Sequence, residues 1–215
     1  MSRPVLYVLA GVNGAGKSSV GGHGLAQAGM AWFNPDDFAR EWAAATGCSQ
    51  HDANAQAWAE GLRRLDAAVA QGRNHAFETT LGGNTLAARL AAAAKRSHDV
   101  LVWYCGLATP ELHLARVRAR VAAGGHDIAE ATVRTRWHTS RANLIGLLPH
   151  LAHLRVYDNS AEAAPGQPVP DPLLLAEVVA GRLVAPRSAR ALRRTPDWAK
   201  PVLEAALRLG EAGTA

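Results

Sequence analysis

The segment Gly11-Val12-Asn13-Gly14-Ala15-Gly16-Lys17-Ser18 constrains this chain more than any other stretch of it. It follows directly on Val5-Leu6-Tyr7-Val8-Leu9-Ala10, an apolar run of the length and kind that a buried parallel strand shows. A helical pattern over Lys17–Ala28 comes next. A glycine-rich loop between such a strand and helix can wrap so that successive amide N–H groups point inward at an anion. The helix N-terminus adds its partial positive charge. The spacing G-x-x-x-x-G-K-[ST] therefore predicts a nucleotide-phosphate loop built from Gly11, Asn13, Gly14, Ala15, Gly16, Lys17, Ser18 and Ser19. Lys17 would reach the outer phosphates, and the Ser18 hydroxyl would ligate Mg2+.

The remaining pattern supports the fold that such a loop requires. Short apolar runs recur at Ala31–Phe33, His75–Phe77, Val100–Cys105 and Leu154–Tyr157. Helical stretches at Asp36–Thr46, Asp52–Gln71 and Asn84–Arg96 alternate with them, which predicts an α/β fold with a five-stranded parallel sheet and helices on both faces. At 215 residues a single domain over 1–215, built around this loop, is expected. Four prolines between Pro165 and Pro172 mark a loop, and residues from about 173 to 211 read as helices packing back on the sheet. Alanine is about a fifth of the chain, so many helix faces are lined with methyl groups. No apolar stretch approaches the ~18 residues of a membrane span, no signal-peptide core is recognisable, and Cys48 and Cys105 form no metal or redox spacing. The expectation is a soluble, cytoplasmic protein with reduced thiols and no membrane partner. The six tryptophans read as packing residues.

The net charge is +5 and almost all cations are arginine; the lysines are Lys17, Lys95 and Lys200. Arg116, Arg118, Arg120, Arg134, Arg136 and Arg141 cluster in one stretch. Thr109-Pro110-Glu111 opens a helix whose stripe Leu114, Val117, Val121 faces the core, leaving Arg116 and Arg120 on one flank. Gly124-Gly125 stops it, and Asp127 with Glu130 forms a candidate capping box for a second helix with stripe Val133, Trp137, Leu144. Beside a phosphate loop, such an arrangement over about 116–141 would make an arginine lid; taken by itself it reads first as a solvated basic hairpin.

Elements that define other P-loop classes are missing. No Asn-Lys-x-Asp guanine element contains any of the three lysines, and Leu81-Gly82-Gly83-Asn84 only faintly echoes a transporter ATPase signature. A small phosphotransferase instead needs a carboxylate base beside the phosphates. Asn34-Pro35-Asp36-Asp37 and Phe77-Glu78-Thr79-Thr80 both fall at the carboxyl edge of the sheet, where ligands bind in this fold class. Asp36 reads either as that base or as a helix-dipole residue behind an Asn34 cap, and Glu78 either as a site carboxylate or as a solvated strand end. Asp158-Asn159-Ser160 could border the nucleotide base or form an Asx turn, and His126 fits a loop histidine.

These segments, together with Gly106-Leu107-Ala108-Thr109-Pro110-Glu111-Leu112, Gly124-Gly125-His126 and Tyr157-Asp158-Asn159-Ser160, occur in the same order in the zeta-toxin-like P-loop kinases. The chain resembles that family, in its compact chromosomal branch, over roughly residues 4–160, with a weaker echo at Pro196-Asp197-Trp198-Ala199. The resemblance implies ATP and Mg2+ as cofactors and phosphorylation of a hydroxyl on a small-molecule substrate, with UDP-N-acetylglucosamine as the leading acceptor. Another metabolite or an antibiotic is the alternative acceptor. It further implies Asp36 as base, Lys17 as phosphate clamp, Glu78 and Thr79 on the substrate side, and Arg120 with Arg134 or Arg136 as lid arginines. Arg116 and Asn159 would serve the nucleotide. The resemblance raises an antitoxin partner, which nothing in the chain specifies. From another class, the rival is a nucleotide-gated protein that turns its arginines on nucleic acid.

Overall fold

The computed structural model describes residues 2–17, 20–21, 32–163, 168 and 170–212. Strands β1 (Val5–Ala10), β2 (His75–Thr79), β3 (Asp99–Gly106) and β4 (His153–Asp158) pair in parallel, and β5 (Leu173–Val179) and β6 (Arg182–Ala185) add antiparallel. The order across the sheet is β2-β1-β3-β4-β5-β6. From β1 the chain goes to one side for β2 and to the other for β3, so the crevice at the switch point opens at the end of β1, where the glycine loop lies.

Period-2 alternation builds the layers. Leu6, Val8 and Ala10 of β1 join Val100, Val102 and Tyr104 of β3 and Leu154 and Val156 of β4 in the main core. Tyr7, Leu9, Ala76 and Trp103 face the other way, with Trp32. Helices α1 (Pro35–Thr46), α2 (Gln50–Gln71), α3 (Asn84–Arg96), α4 (Pro110–Ala122) and α5 (Glu130–Leu147) follow the expected places. Leu86, Leu90 and Ala93 of α3 and Leu144 and Leu147 of α5 fill the main core. Short α6 (Ala189–Arg193) and longer α7 (Lys200–Ala212) end the described chain.

Three expectations change, and a fourth lies mostly outside the described residues. The sheet has six strands and is mixed, because residues 173–185 form a hairpin rather than a helix. Ala180 and Gly181 both take positive φ (47° and 75°) at its two-residue turn, as the twist of a tight hairpin demands. The Ala31–Phe33 strand reduces to one bridge, Phe33 with Phe77, and Ala31 lies outside the described residues. The helix expected over Lys17–Ala28, including Ser18 and Ser19, also falls mostly outside them, as does much of the proline-rich loop. Finally, α5 starts at Glu130 without a side-chain cap; the Asp127 carboxylate accepts from the Ile128 amide instead. Ile128 packs on Val12, Leu114 and Val133, which holds the chain extended before the helix can begin. Thr109, by contrast, caps α4 through the Leu112 amide at 3.3 Å.

Candidate active site

The glycine loop is shaped by what meets it. Gly11, Gly14 and Gly16 have φ of 145°, 80° and 82°, values that side-chain-bearing residues rarely adopt. A Cβ on Gly11 would lie 2.2 Å from the Cys105 carbonyl oxygen, and one on Gly16 would lie 2.3 Å from Asn159 Nδ2. The loop's carbonyls are tied outward. His113 Nδ1 donates to the Asn13 oxygen at 2.8 Å, while Cys105 Sγ and Asn159 Nδ2 donate to the Ala15 oxygen at 3.0 and 2.9 Å. Such ties turn the oxygens away from the hollow, the polarity an anion site requires. Burial lowers the His113 pKa to about 4, so the ring is neutral and its Nδ1 carries the proton. Burial pushes the Cys105 thiol up to about 12, which makes it a structural donor and not a nucleophile.

Lys17 and Glu78 are both buried, with Nζ and Oε1 3.3 Å apart at the ends of the loop and of β2. Beyond Thr79 the chain turns sharply: Leu81, fully buried, takes φ 52°, and the Thr79 hydroxyl accepts from its amide. Helix α5 holds this turn, since Ser140 donates to the Thr80 oxygen and Asn143 to the Leu81 oxygen.

A cleft of about 600 Å³ opens in front of this edge. Asn13, Lys17, Asp36, Glu78, Thr79 and Arg136 line one end of it. The two readings of Asp36-Asp37 separate here. Asn34 Oδ1 caps α1 through the Asp36 amide, and Asp37 is occupied on the surface by Arg40 at 2.7 Å. The Asp36 carboxylate is thereby left to the cleft, 3.5 Å from Arg120 Nη1 and 4.0 Å from His126 Nε2. Arg136 donates to Asn13 Oδ1 at 2.9 Å; burial lowers its pKa and the Asp36 carboxylate opposes that. Arg134 points elsewhere, bound to Glu111 and Glu130 at 2.7 Å on the exposed side. Of the two arginines that the expectation left open, Arg136 lies beside the loop and Arg134 is held by its two carboxylate partners.

On the other side of the loop, Arg116 Nη2 donates to the Asn159 oxygen at 2.7 Å, next to Gly14. Arg120 packs over Gly125, where a Cβ would lie 2.8 Å from its Cγ. Arg141 is structural: it stacks on Trp137 and donates to the Trp198 oxygen. The site thus brings together Lys17, Asp36, Glu78, Thr79, Arg120 and Arg136, with Arg116 and Asn159 flanking, and leaves Arg134 out. His113, Cys105, Ser140 and Asn143 were not anticipated as its supports. A polar residue beside the apolar stripe of α4 was the available signal for His113; for the others the sequence carries none.

Residues 6–144 match a family model described as an AAA domain. A protein of Haemophilus influenzae is 39% identical over 70 residues, 33% of this chain and 50% of that protein, so the chain spans about half the length of this curated relative. Among solved structures, AvrRxo1-ORF1 in complex with AvrRxo1-ORF2 and ATP superposes with a TM-score of 0.63 at 15% identity, covering 97% of this chain and 81% of that one. The PezAT chromosomal toxin–antitoxin system of Streptococcus pneumoniae superposes with a TM-score of 0.57 at 16% identity, covering 99% and 86%. At these identities the likeness is one of fold, an α/β arrangement.

Proposed function

We propose that this chain, which belongs to the AAA-domain family, transfers the γ-phosphoryl group of ATP to a hydroxyl of a small molecule. One observation carries the reading: the P-loop lysine and the Asp36 carboxylate open into the same cleft. The glycine cradle suits the triphosphate, since the spaces at Gly11 and Gly16 admit no Cβ and its carbonyls face away. Magnesium would arrive on the nucleotide's phosphates, with the Ser18 hydroxyl as the ligand that the loop pattern supplies. Among the described residues no cluster of three or more His, Cys, Asp or Glu side chains could hold a metal by itself.

In the proposed reaction Asp36 accepts the acceptor's hydroxyl proton as that oxygen bonds to the γ-phosphorus, and the bond from phosphorus to the bridging oxygen breaks to release ADP. Lys17 would leave Glu78 for the phosphates, and Arg136 and Arg120 would stabilise charge on the transferring group. Arg116 and Asn159 would border the base. The zeta-toxin resemblance brings UDP-N-acetylglucosamine forward as acceptor, with another metabolite or an antibiotic as the alternative. Among the described residues no helix is long and apolar enough to cross a membrane.

A mass-spectrometric screen for gain of one phosphate, with MgATP and a metabolite mixture, tests the reading. Lys17→Ala should lower phosphoryl transfer by several orders of magnitude. A variant that keeps wild-type turnover would overturn the kinase assignment.

A further inference from the structure

The cleft has two unlike ends. Its inner end carries the charges already described. Its outer end is walled by Phe33, Ala57, Trp58, Leu62, Phe77 and Leu86, with His51 and Asn54 as polar groups. Asn54, Ala57, Trp58, Gly61 and Leu62 follow the i, i+3, i+4, i+7, i+8 spacing and form one face of α2. Gly61 matters to this wall: a Cβ there would lie 3.1 Å from the Phe33 ring, so the bare backbone lets that ring lie against the helix. Phe33 is held from other sides by Phe38, with centroids 5.8 Å apart, and by the Arg64 guanidinium 4.6 Å from its centroid. Trp58 is large, apolar and 45% exposed at this wall. An indole left uncovered in a concave apolar surface gains most when a flat ligand covers it.

Charge sorts the ligands that could do so. The lysine and arginine in the cleft lining both stand at the inner end, where Lys17 pairs with Glu78 and Arg136 bonds Asn13. The lining also carries the carboxylates Asp36, Glu78 and Asp127. A second diphosphate in the outer end would meet an apolar wall without a lysine or arginine of its own among the described lining residues. A phosphate-free compound incurs no such cost.

We infer that the outer cleft favours the alternative acceptor class over UDP-N-acetylglucosamine: an uncharged acceptor with a flat apolar face, stacked on Trp58 and Phe33, that presents its hydroxyl to Asp36. Trp58 is then the residue that selects for that face. This rests on the kinase reading for the identity of the occupant as an acceptor, and the test separates the two.

Binding is titrated calorimetrically on protein saturated with a non-hydrolysable ATP analogue and Mg2+. One probe set is phosphate-free (nucleosides, aryl glycosides and aryl diols); the other is UDP-N-acetylglucosamine and UDP. The tightest ligand should come from the first set. Trp58→Ala should weaken its Kd about tenfold or more, and Trp58→Phe should restore it to within about threefold. Trp58 is exposed, so both variants should fold, which unchanged affinity for the ATP analogue verifies. Three results would each overturn the inference: UDP-N-acetylglucosamine binding tighter than every phosphate-free probe, no phosphate-free probe binding, or an unchanged Kd in Trp58→Ala. A phosphate-free probe that binds through Trp58 but never gains phosphate from MgATP would instead sink the kinase reading.

Discussion

Gly16→Ala offers a measurement of how tightly the nucleotide loop is built. An alanine at φ 82° costs about 1–2 kcal/mol in backbone strain. Its Cβ would also stand 2.3 Å from Asn159 Nδ2, far inside contact distance. Asn159 is buried, so to clear the methyl it must give up its bond to the Ala15 oxygen and leave a buried amide unpaired, at about 1–3 kcal/mol. Together these predict a loss of about 2–5 kcal/mol, which for a chain of this length is a fall in Tm on the order of 10 °C. Gly47 provides the control, because it sits at φ 68° and a methyl group added there would meet nothing within 4 Å. Gly47→Ala should therefore show the strain alone. Thermal unfolding followed by circular dichroism, with and without MgATP, reads all of this. Gly16→Ala should also lose most of the MgATP-induced rise in Tm, because the methyl disturbs Asn159, whose backbone oxygen accepts from Arg116 beside the loop. Adding Asn159→Ala should recover part of the stability penalty, a coupling that independent sites do not show. Equal Tm losses for Gly16→Ala and Gly47→Ala would refute the contact argument.

Three further predictions concern the site and its supports. Asp36→Asn should lower turnover by roughly 10²–10⁴-fold in steady-state kinetics while leaving ATP affinity nearly unchanged. Arg116→Lys should weaken ATP binding with a modest loss of turnover, because lysine cannot reproduce a planar guanidinium, whereas Arg120→Ala should depress kcat itself; matching effects from both would return them to a solvated surface. His113 is protonated more readily in the unfolded chain, at its ordinary value near 6.5, than in the fold, at about 4. Its contribution to stability is thus complete above pH 6.5 and falls away toward pH 4. Urea unfolding at pH 5 should show a loss of about 2 kcal/mol relative to pH 7, absent in His113→Gln.

Much of this architecture is legible before any coordinates. A strand that ends in three spaced glycines and a lysine has few folds available, since the loop's backbone must be free to curl and the strand must be buried on both faces. Caps are equally local: Asn34 and Thr109 each bond an amide two or three residues away, so their roles follow from nearest neighbours alone. Even the carboxylates could be assigned to the correct edge, because strand ends define it.

What the local pattern leaves open depends on partners distant in sequence. Leu173-Leu174-Leu175-Ala176 consists of good helix formers, yet the free edge of β4 offers a row of hydrogen-bonding groups that a strand satisfies and a helix does not. Asp36 and Asp37 are indistinguishable as letters, and only the direction in which α1 leaves the sheet sends one to the cleft and the other to Arg40. Arg134 and Arg136 lie two residues apart, so a helix of 3.6 residues per turn points them to different sides; which side meets the loop is decided by how α5 packs on α3 and the core. Spacing determines the backbone that can hold a phosphate, while the choice among identical side chains waits for the packing of elements that the chain brings together from far apart.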